Sequence, residues 1–161
     1  MMSERKLARR ARLLRLGLNL YPPYLGAGIK VQRISPDCRE ARVRMALRWY
    51  NRNFVGTQFG GSLYSMVDPF YMLLLMPLLG DDYIVWDKAA SIDFVTPGKG
   101  PVYADFRIDD ALLAEIRTKT AGGEKYLPEL QVDIRDAAGT LVAVAHKTLY
   151  VRLKPRARQA G

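Results

Sequence analysis

Two glycines and one aspartate are the residues best placed to do chemistry. Gly60-Gly61 stands where an apolar helical stretch begins, and Asp68 follows about two turns later. The first amides of a helix have no partner inside it and lie at the positive end of its dipole. Amides so placed can hold a carbonyl oxygen that becomes negative during acyl transfer. Asp68 lies within the otherwise apolar run Leu63–Leu79, where an unpaired carboxylate is costly to bury. Two readings of it stand: a local hydrogen bond caps it, or it faces a water-filled cleft where its charge is used. A helix start that binds an oxyanion, with a carboxylate two turns on, is the outline of a hydrolytic pair. Gly56, in the loop before the helix, adds a position open to positive φ.

The other reactive side chains are few. His146 and Cys38 are the single histidine and cysteine, too few for a zinc cage. Cys38 cannot form an intrachain disulfide, which suits a reducing compartment. Without a neighbouring histidine it is not read as a nucleophile. His146 is read as structural or solvent-facing. No metal and no cofactor is expected.

The elements that must position these residues follow from periodicity. Leu7, Ala11, Leu14 and Leu18 recur at helical spacing, with Arg5, Arg9 and Arg12 on the other side. They predict an amphipathic helix over 4–20, lying on the domain through its Leu face and stopped by Pro22-Pro23. Residues 29–36 and 39–50 alternate as strands, and 51–61 form a polar, glycine-bearing loop. Residues 62–79 predict a buried helix with a kink or early end at Pro69 and Pro77. Strands are expected over 83–95, 102–108, 127–135 and 140–153, with a helical insertion at 109–120 and a hairpin turn at Asp136–Gly139. One apolar helix followed by such strands predicts an antiparallel sheet wrapped around it. The last strand carries apolar residues on both faces, so a second copy or the N-terminal helix must cover one of them. Met66, Met72 and Met76 are expected to pack the core or line an acyl tunnel. Tyr83 and Trp86 are expected to pack.

The net charge of +9 belongs to the two ends. Within residues 1–16, six basic residues against Glu4 leave +5, and residues 152–161 carry four basic residues and no acid. The middle is neutral, so nucleic acid is not an expected partner. Basic ends suit weak contact with an anionic membrane, or serve as solubilising ends. No secretory signal is visible, and the longest apolar run, Phe70–Leu79, is shorter than a membrane span of ~20 residues. A cytoplasmic location is the expectation.

The segment Asn53-Phe54-Val55-Gly56-Thr57-Gln58-Phe59-Gly60-Gly61, with Asp68 seven residues on, resembles a known signature. It is that of hotdog acyl-CoA thioesterases of the phenylacetate-pathway and human-thioesterase type: Asn-x-x-Gly-Thr-x-His-Gly-Gly followed by Asp. Ala90–Pro97 and Thr140–Val151 resemble later strands of the same group, and Asp68–Met72 with Trp86–Phe94 are similar to a branch of unknown function. The resemblance covers most of residues 28–153. It implies an α+β hotdog fold, an antiparallel sheet around the long central helix Gly61–Leu79, with the N-terminal amphipathic helix as an addition.

The domain organisation is then 1–27 (basic helix and Pro-Pro linker), 28–153 (hotdog domain) and 154–161 (basic tail). A homodimer or dimer of dimers would hold the acyl thioester at its interface. By the same resemblance Asp68 is general base or nucleophile, Asn53 orients water or substrate, and the Gly60 amide is the oxyanion donor. Gly56, Thr57, Phe59, Gly61 and Asp87 would contact substrate, Asp87 standing nearest to a Ser or Thr found on the family's third strand. Phe59 replaces the family's histidine. The implied activity is hydrolysis of acyl-CoA or a related thioester. The alternative is a non-catalytic acyl- or fatty-acid-binding hotdog protein associated with a membrane surface.

Overall fold

A computed structural model describes residues 3–155. Arg156 and Arg158 of the basic tail lie outside the described residues. The predicted N-terminal helix is α1 (Glu4–Leu20), with Ala11 buried and Leu7, Leu14 and Leu18 packed against the core. Pro22-Pro23 ends α1 but is not a linker. The two prolines open a second helix, α2 (Pro22–Ala27), in the first turn, where a missing amide costs no hydrogen bond. Gly28 closes α2 at φ 72°, and a side chain there would meet the Asn51 amide at 2.5 Å. Asn51 is buried and donates to the carbonyls of Ala27 and Ala46, so it ties α2 to the start of the central loop.

The strands are β1 (Ile29–Ile34), β2 (Glu40–Met45), β3 (Tyr83–Phe94), β4 (Val102–Arg107), β5 (Lys125–Tyr126), β6 (Glu129–Asp136) and β7 (Leu141–Leu153). They form one antiparallel sheet in the order β1-β2-β4-β6-β7-β3, with the short β5 beside the end of β7. β2 stops at Met45, five residues before its predicted end, as the chain turns into the Asn51 knot with Trp49 exposed.

The central helix comes in two pieces, α3 (Gly60–Ser65) and α4 (Phe70–Leu79), separated by a turn at 66–69. Pro69 has no amide to continue the ladder, so the predicted kink is there. Pro77 does not end the helix; it is carried inside α4, which stops at Gly80. Phe70, Leu74 and Leu75 are fully buried, and Phe70 stacks on Phe106 of β4 at 4.8 Å. Gly60–Leu79 is long and apolar enough to cross a membrane by composition, but its apolar residues are spent on this core. α5 (Asp110–Thr120) is capped by Asp109, which accepts from the Leu112 amide at 2.8 Å.

The two sheet edges differ. On β1, the Asn19 side chain of α1 accepts from the Val31 amide at 2.8 Å and donates to the Val31 carbonyl at 3.0 Å, imitating a strand residue. The long edge strand β3 has no such cover among the described residues, and most of it is exposed.

Candidate functional site

Asn53 folds the loop that precedes α3. Its side-chain oxygen accepts from the amides of Val55 and Thr57, and its nitrogen donates to Thr57 Oγ1 and the Gln58 carbonyl. Gly56 sits at φ 83°, a region open to glycine at little cost. Gln58 is buried and binds the loop to the β3–β4 connection through the Gly98 and Gly100 carbonyls. These bonds deliver the chain to the start of α3 in a fixed direction.

The amides of Gly60, Gly61 and Ser62 head that helix, and no side chain among the described residues caps it. Two rings stand over the glycines. A side chain on Gly60 would meet the Phe94 ring at 2.8 Å, and one on Gly61 would meet the Phe59 ring at 2.7 Å. Phe59 is 54% exposed. Asn53, Thr57 and Gly60 therefore line one cleft of about 420 Å³ with Leu63, Phe94 and Val95.

Asp68 lies elsewhere, in the turn between α3 and α4. Tyr64, one turn earlier on the same face, donates its hydroxyl to Asp68 Oδ1 at 2.5 Å. Lys147 of β7 donates to the same oxygen at 2.8 Å and lies 3.2 Å from the Tyr64 hydroxyl. Asp87 Oδ1 is 3.2 Å from the same ammonium, off the line of a directed hydrogen bond. The Lys147 side chain has no exposed surface, whereas Asp68 is 45% exposed. Tyr64, Asp87 and Lys147 line a second cleft of about 430 Å³ along Ala89–Ile92 of β3.

A bulge in β3 places Asp87. It pairs with Leu149 and Ala89 pairs with Thr148, so Lys88 is the extra residue. Strict alternation from Ala90, which faces Lys147, would put Asp87 on the opposite side of the sheet. The bulge returns it to the Leu149 face, which is also the Lys147 face. Below the bulge, Trp86 stacks on Tyr150 at 4.1 Å on the other side.

The electrostatics separate the two carboxylates. Burial raises the Asp68 carboxyl, but the hydrogen bonds from Lys147 and Tyr64 and the lysine charge outweigh it and hold the group below its ordinary value. Burial also dominates at Asp87, where Lys147 offsets it only in part and Asp68 adds repulsion, so Asp87 is raised. Burial would lower Lys147, but its bonds to Asp68 and Tyr64 and the two carboxylate charges raise it. The arrangement holds two carboxylates of unequal basicity beside a fixed cation.

Of the expected site residues, the structure brings Asn53, Thr57 and Gly60 together, and separately Asp68 and Asp87. The first group lines one cleft; of the second, Asp87 lines the other cleft and Asp68 stands behind it, bonded to Tyr64 and Lys147 of its wall. Gly56 shapes the loop, and Phe59 stands at the rim. His146 is solvent-facing and meets Asp93 at 3.2 Å. Cys38 is buried against the Leu7 carbonyl. A larger open groove of about 730 Å³ lies on the far face of the sheet, where Arg42–Asp105 and Arg135–Asp133 neutralise each other.

Residues 9–151 match the family described as a domain of unknown function, DUF4442. The chain belongs to the DUF4442 family. This DUF4442 chain has the hotdog fold. Its structure is similar to a Pseudomonas aeruginosa protein of unknown function described as a probable thioesterase (22% identity, TM-score 0.73, covering 88% of this chain and 95% of that one). It is also similar to a Haemophilus influenzae thioesterase (15%, 0.64, 88% and 89%). A third likeness is to the Escherichia coli PaaI protein of the phenylacetic acid degradation operon (16%, 0.63, 92% and 95%). Among curated proteins nothing matches the sequence.

Three side chains around the two clefts of the DUF4442 chain belong to no motif: Lys147, Tyr64 and Gln58. A signal for Lys147 is present, since it sits in phase with the buried Ala143, Ala145, Leu149 and Val151. A lysine on the core face of a strand calls for buried anions. Tyr64 has the i, i+4 spacing to Asp68. Gln58 has no comparable signal.

Proposed function

We propose that this chain hydrolyses acyl thioesters at clefts built along β3 between two copies of itself. One observation carries the reading: a wholly buried lysine fixes Asp68 beside an open cleft, in a turn between two apolar helices that otherwise have no use for a carboxylate. The fold neighbours described as thioesterases support it.

The two clefts explain the second copy. Both lie along β3, the Gly60 cleft at its Phe94 end and the Asp68 cluster nearer Asp87. An open strand edge is a template for pairing. Antiparallel pairing of two β3 strands centred between Ala90 and Ser91 would set Phe94 of one beside Asp87 of the other. The Gly60 amide of one copy would then face the carboxylates of its partner. The exposed Phe94 and Val95 would be covered in the same step.

In the reaction, the Asp68 carboxylate takes a proton from water as the water oxygen bonds to the thioester carbonyl carbon. The oxyanion so formed accepts from the Gly60 amide. Collapse breaks the carbon–sulfur bond, and the proton held by Asp68 passes to the leaving sulfur, giving acid and thiol. Lys147 and Tyr64 hold the carboxylate in place. Asn53 acts through the loop it folds, and Gly56, Thr57, Gly61 and Phe59 shape the acyl entrance. Asp87 takes a polar contact with the substrate.

The test is turnover of a panel of acyl-CoAs by the wild type and by Asp68→Asn. The expected result is hydrolysis of at least one chain length, with kcat reduced about a hundredfold or more in the variant. Equal activity of Asp68→Asn would sink the mechanism. Saturable acyl-CoA binding without turnover would instead support an acyl-binding protein, a reading favoured by Phe59, which offers a ring where the resembling family has an imidazole.

A further inference from the structure

Helix α1 has two apolar faces, and the fold uses one. Leu7, Ala11, Leu14 and Leu18 pack on the domain. Leu13, Leu16 and Leu20 fall within about 60° of one another on the opposite side. All three are exposed, Leu20 at 74%. The crest continues past the end of α1 through exposed Tyr21 and Leu25 of α2. Arg9 lies along the crest, Arg5 and Arg12 flank it on one side, and Lys6 and Arg10 on the other. Glu4 is the one acidic residue of α1 and α2.

We propose that this crest is a docking surface for an anionic lipid bilayer, with Leu13, Leu16, Leu20, Tyr21 and Leu25 entering the headgroup region and the arginines on its flanks pairing with lipid phosphates. The argument is the combination. An aliphatic ridge bordered on both sides by cations matches the layered chemistry of a membrane surface, apolar beneath and anionic above. A nucleic acid would use the cations but not the leucines between them, and a water-exposed helix would use neither. The inner face anchors α1 to the sheet through Asn19 and the Leu7–Leu18 stripe, so the outer face is presented by a rigid element. This surface is separate from the proposed thioester site and does not depend on it.

The experiment is sedimentation of the full chain with vesicles of phosphatidylcholine alone, or with about a third phosphatidylglycerol, alongside Leu13→Ser/Leu16→Ser/Leu20→Ser. The expected result is binding to the anionic vesicles about tenfold or more stronger than to the neutral ones, weakened by salt. The triple variant, which keeps every basic residue including those of the C-terminal tail, loses about tenfold in binding while its thermal melting stays unchanged. Arg9→Glu/Arg12→Glu gives at least the same loss by reversing charge while leaving the leucines in place. Unchanged binding by the triple variant, equal binding to neutral vesicles, or no binding to anionic ones would each overturn the proposal. Loss of a dimer in the triple variant, seen by size-exclusion chromatography, would also overturn it by assigning the crest to a second copy.

Discussion

Lys147 Nζ sits 2.8 Å from Asp68 Oδ1, the cation wholly inside the protein and the carboxylate at its surface. The pair is thus asymmetric: the lysine depends on its anions for solvation, while Asp68 keeps access to water. Lys147→Met leaves two neighbouring carboxylates without their cation. Removing one member of a buried pair costs several kcal/mol, but an exposed carboxylate can hydrate, so a loss of about 1–3 kcal/mol in urea denaturation is expected. The Asp68 carboxyl should rise with the loss of its partner, moving the acid limb of any pH–rate profile to higher pH. No change in that limb would show that Lys147 is structural only.

The opposite shifts of the two carboxylates give opposite pH dependence. Asp68 is held low, so its stabilisation is present above the ordinary value of 3.8 and is lost as pH falls through its lowered value. Lys147 is held high, so its contribution is full below 10.5 and is lost as pH rises through the raised value. Asp87 is raised, so ionising it removes stability as pH climbs from 3.8 through its raised value. Asp87→Asn should therefore raise the melting temperature at neutral pH and have a smaller effect near about pH 3, where both side chains are neutral. A variant that melts lower at neutral pH would mean that the attraction to Lys147 outweighs the burial of Asp87.

Gln58 holds the loop before α3 to the β3–β4 connection. Its side-chain nitrogen donates to Gly100 at 3.0 Å, while its oxygen has no partner among the described residues. Gln58→Ala removes that bond, a longer one to the Met45 carbonyl at 3.5 Å, and one unsatisfied acceptor, so a modest loss of about 1 kcal/mol is expected. Amide hydrogen exchange over residues 53–58 should quicken, because only the backbone bond from Gln58 to Gly98 then ties the loop to the β3–β4 connection.

Asp109 offers a control far from the clefts. Its carboxylate caps α5 through the Leu112 amide, and Asp109→Ala should cost about 1 kcal/mol in denaturation. Activity at saturating substrate should be unchanged.

The strands and helices were largely legible because period-2 and period-3.6 patterns are written residue by residue. The motif residues were legible too, since Gly56 and Gly60-Gly61 are demanded by local backbone geometry. What sequence did not reveal were relations across the sheet. The bulge at Lys88 has no local signature in Trp86–Ala90, yet it decides the face of Asp87. The Pro-Pro pair reads equally as a helix stop and a helix start, and α2 shows that here it is both. The partner of Asp68 lies 79 positions away, so only the phase of β7 hinted at it. The exposed crest of α1 was hidden because attention to one leucine stripe treats the other side as merely charged.

A protonated amine has no lone pair. Any lysine beside an acyl thioester is at risk of being acylated by it, since free amines attack such carbonyls readily. Lys147 stands at the wall of the proposed cleft, but its partners keep it charged and its burial keeps it out of reach. The cluster that steadies Asp68 therefore also makes Lys147 inert towards the reactive compounds the cleft would hold. Weakening that cluster would open Lys147 to acylation by any thioester held there.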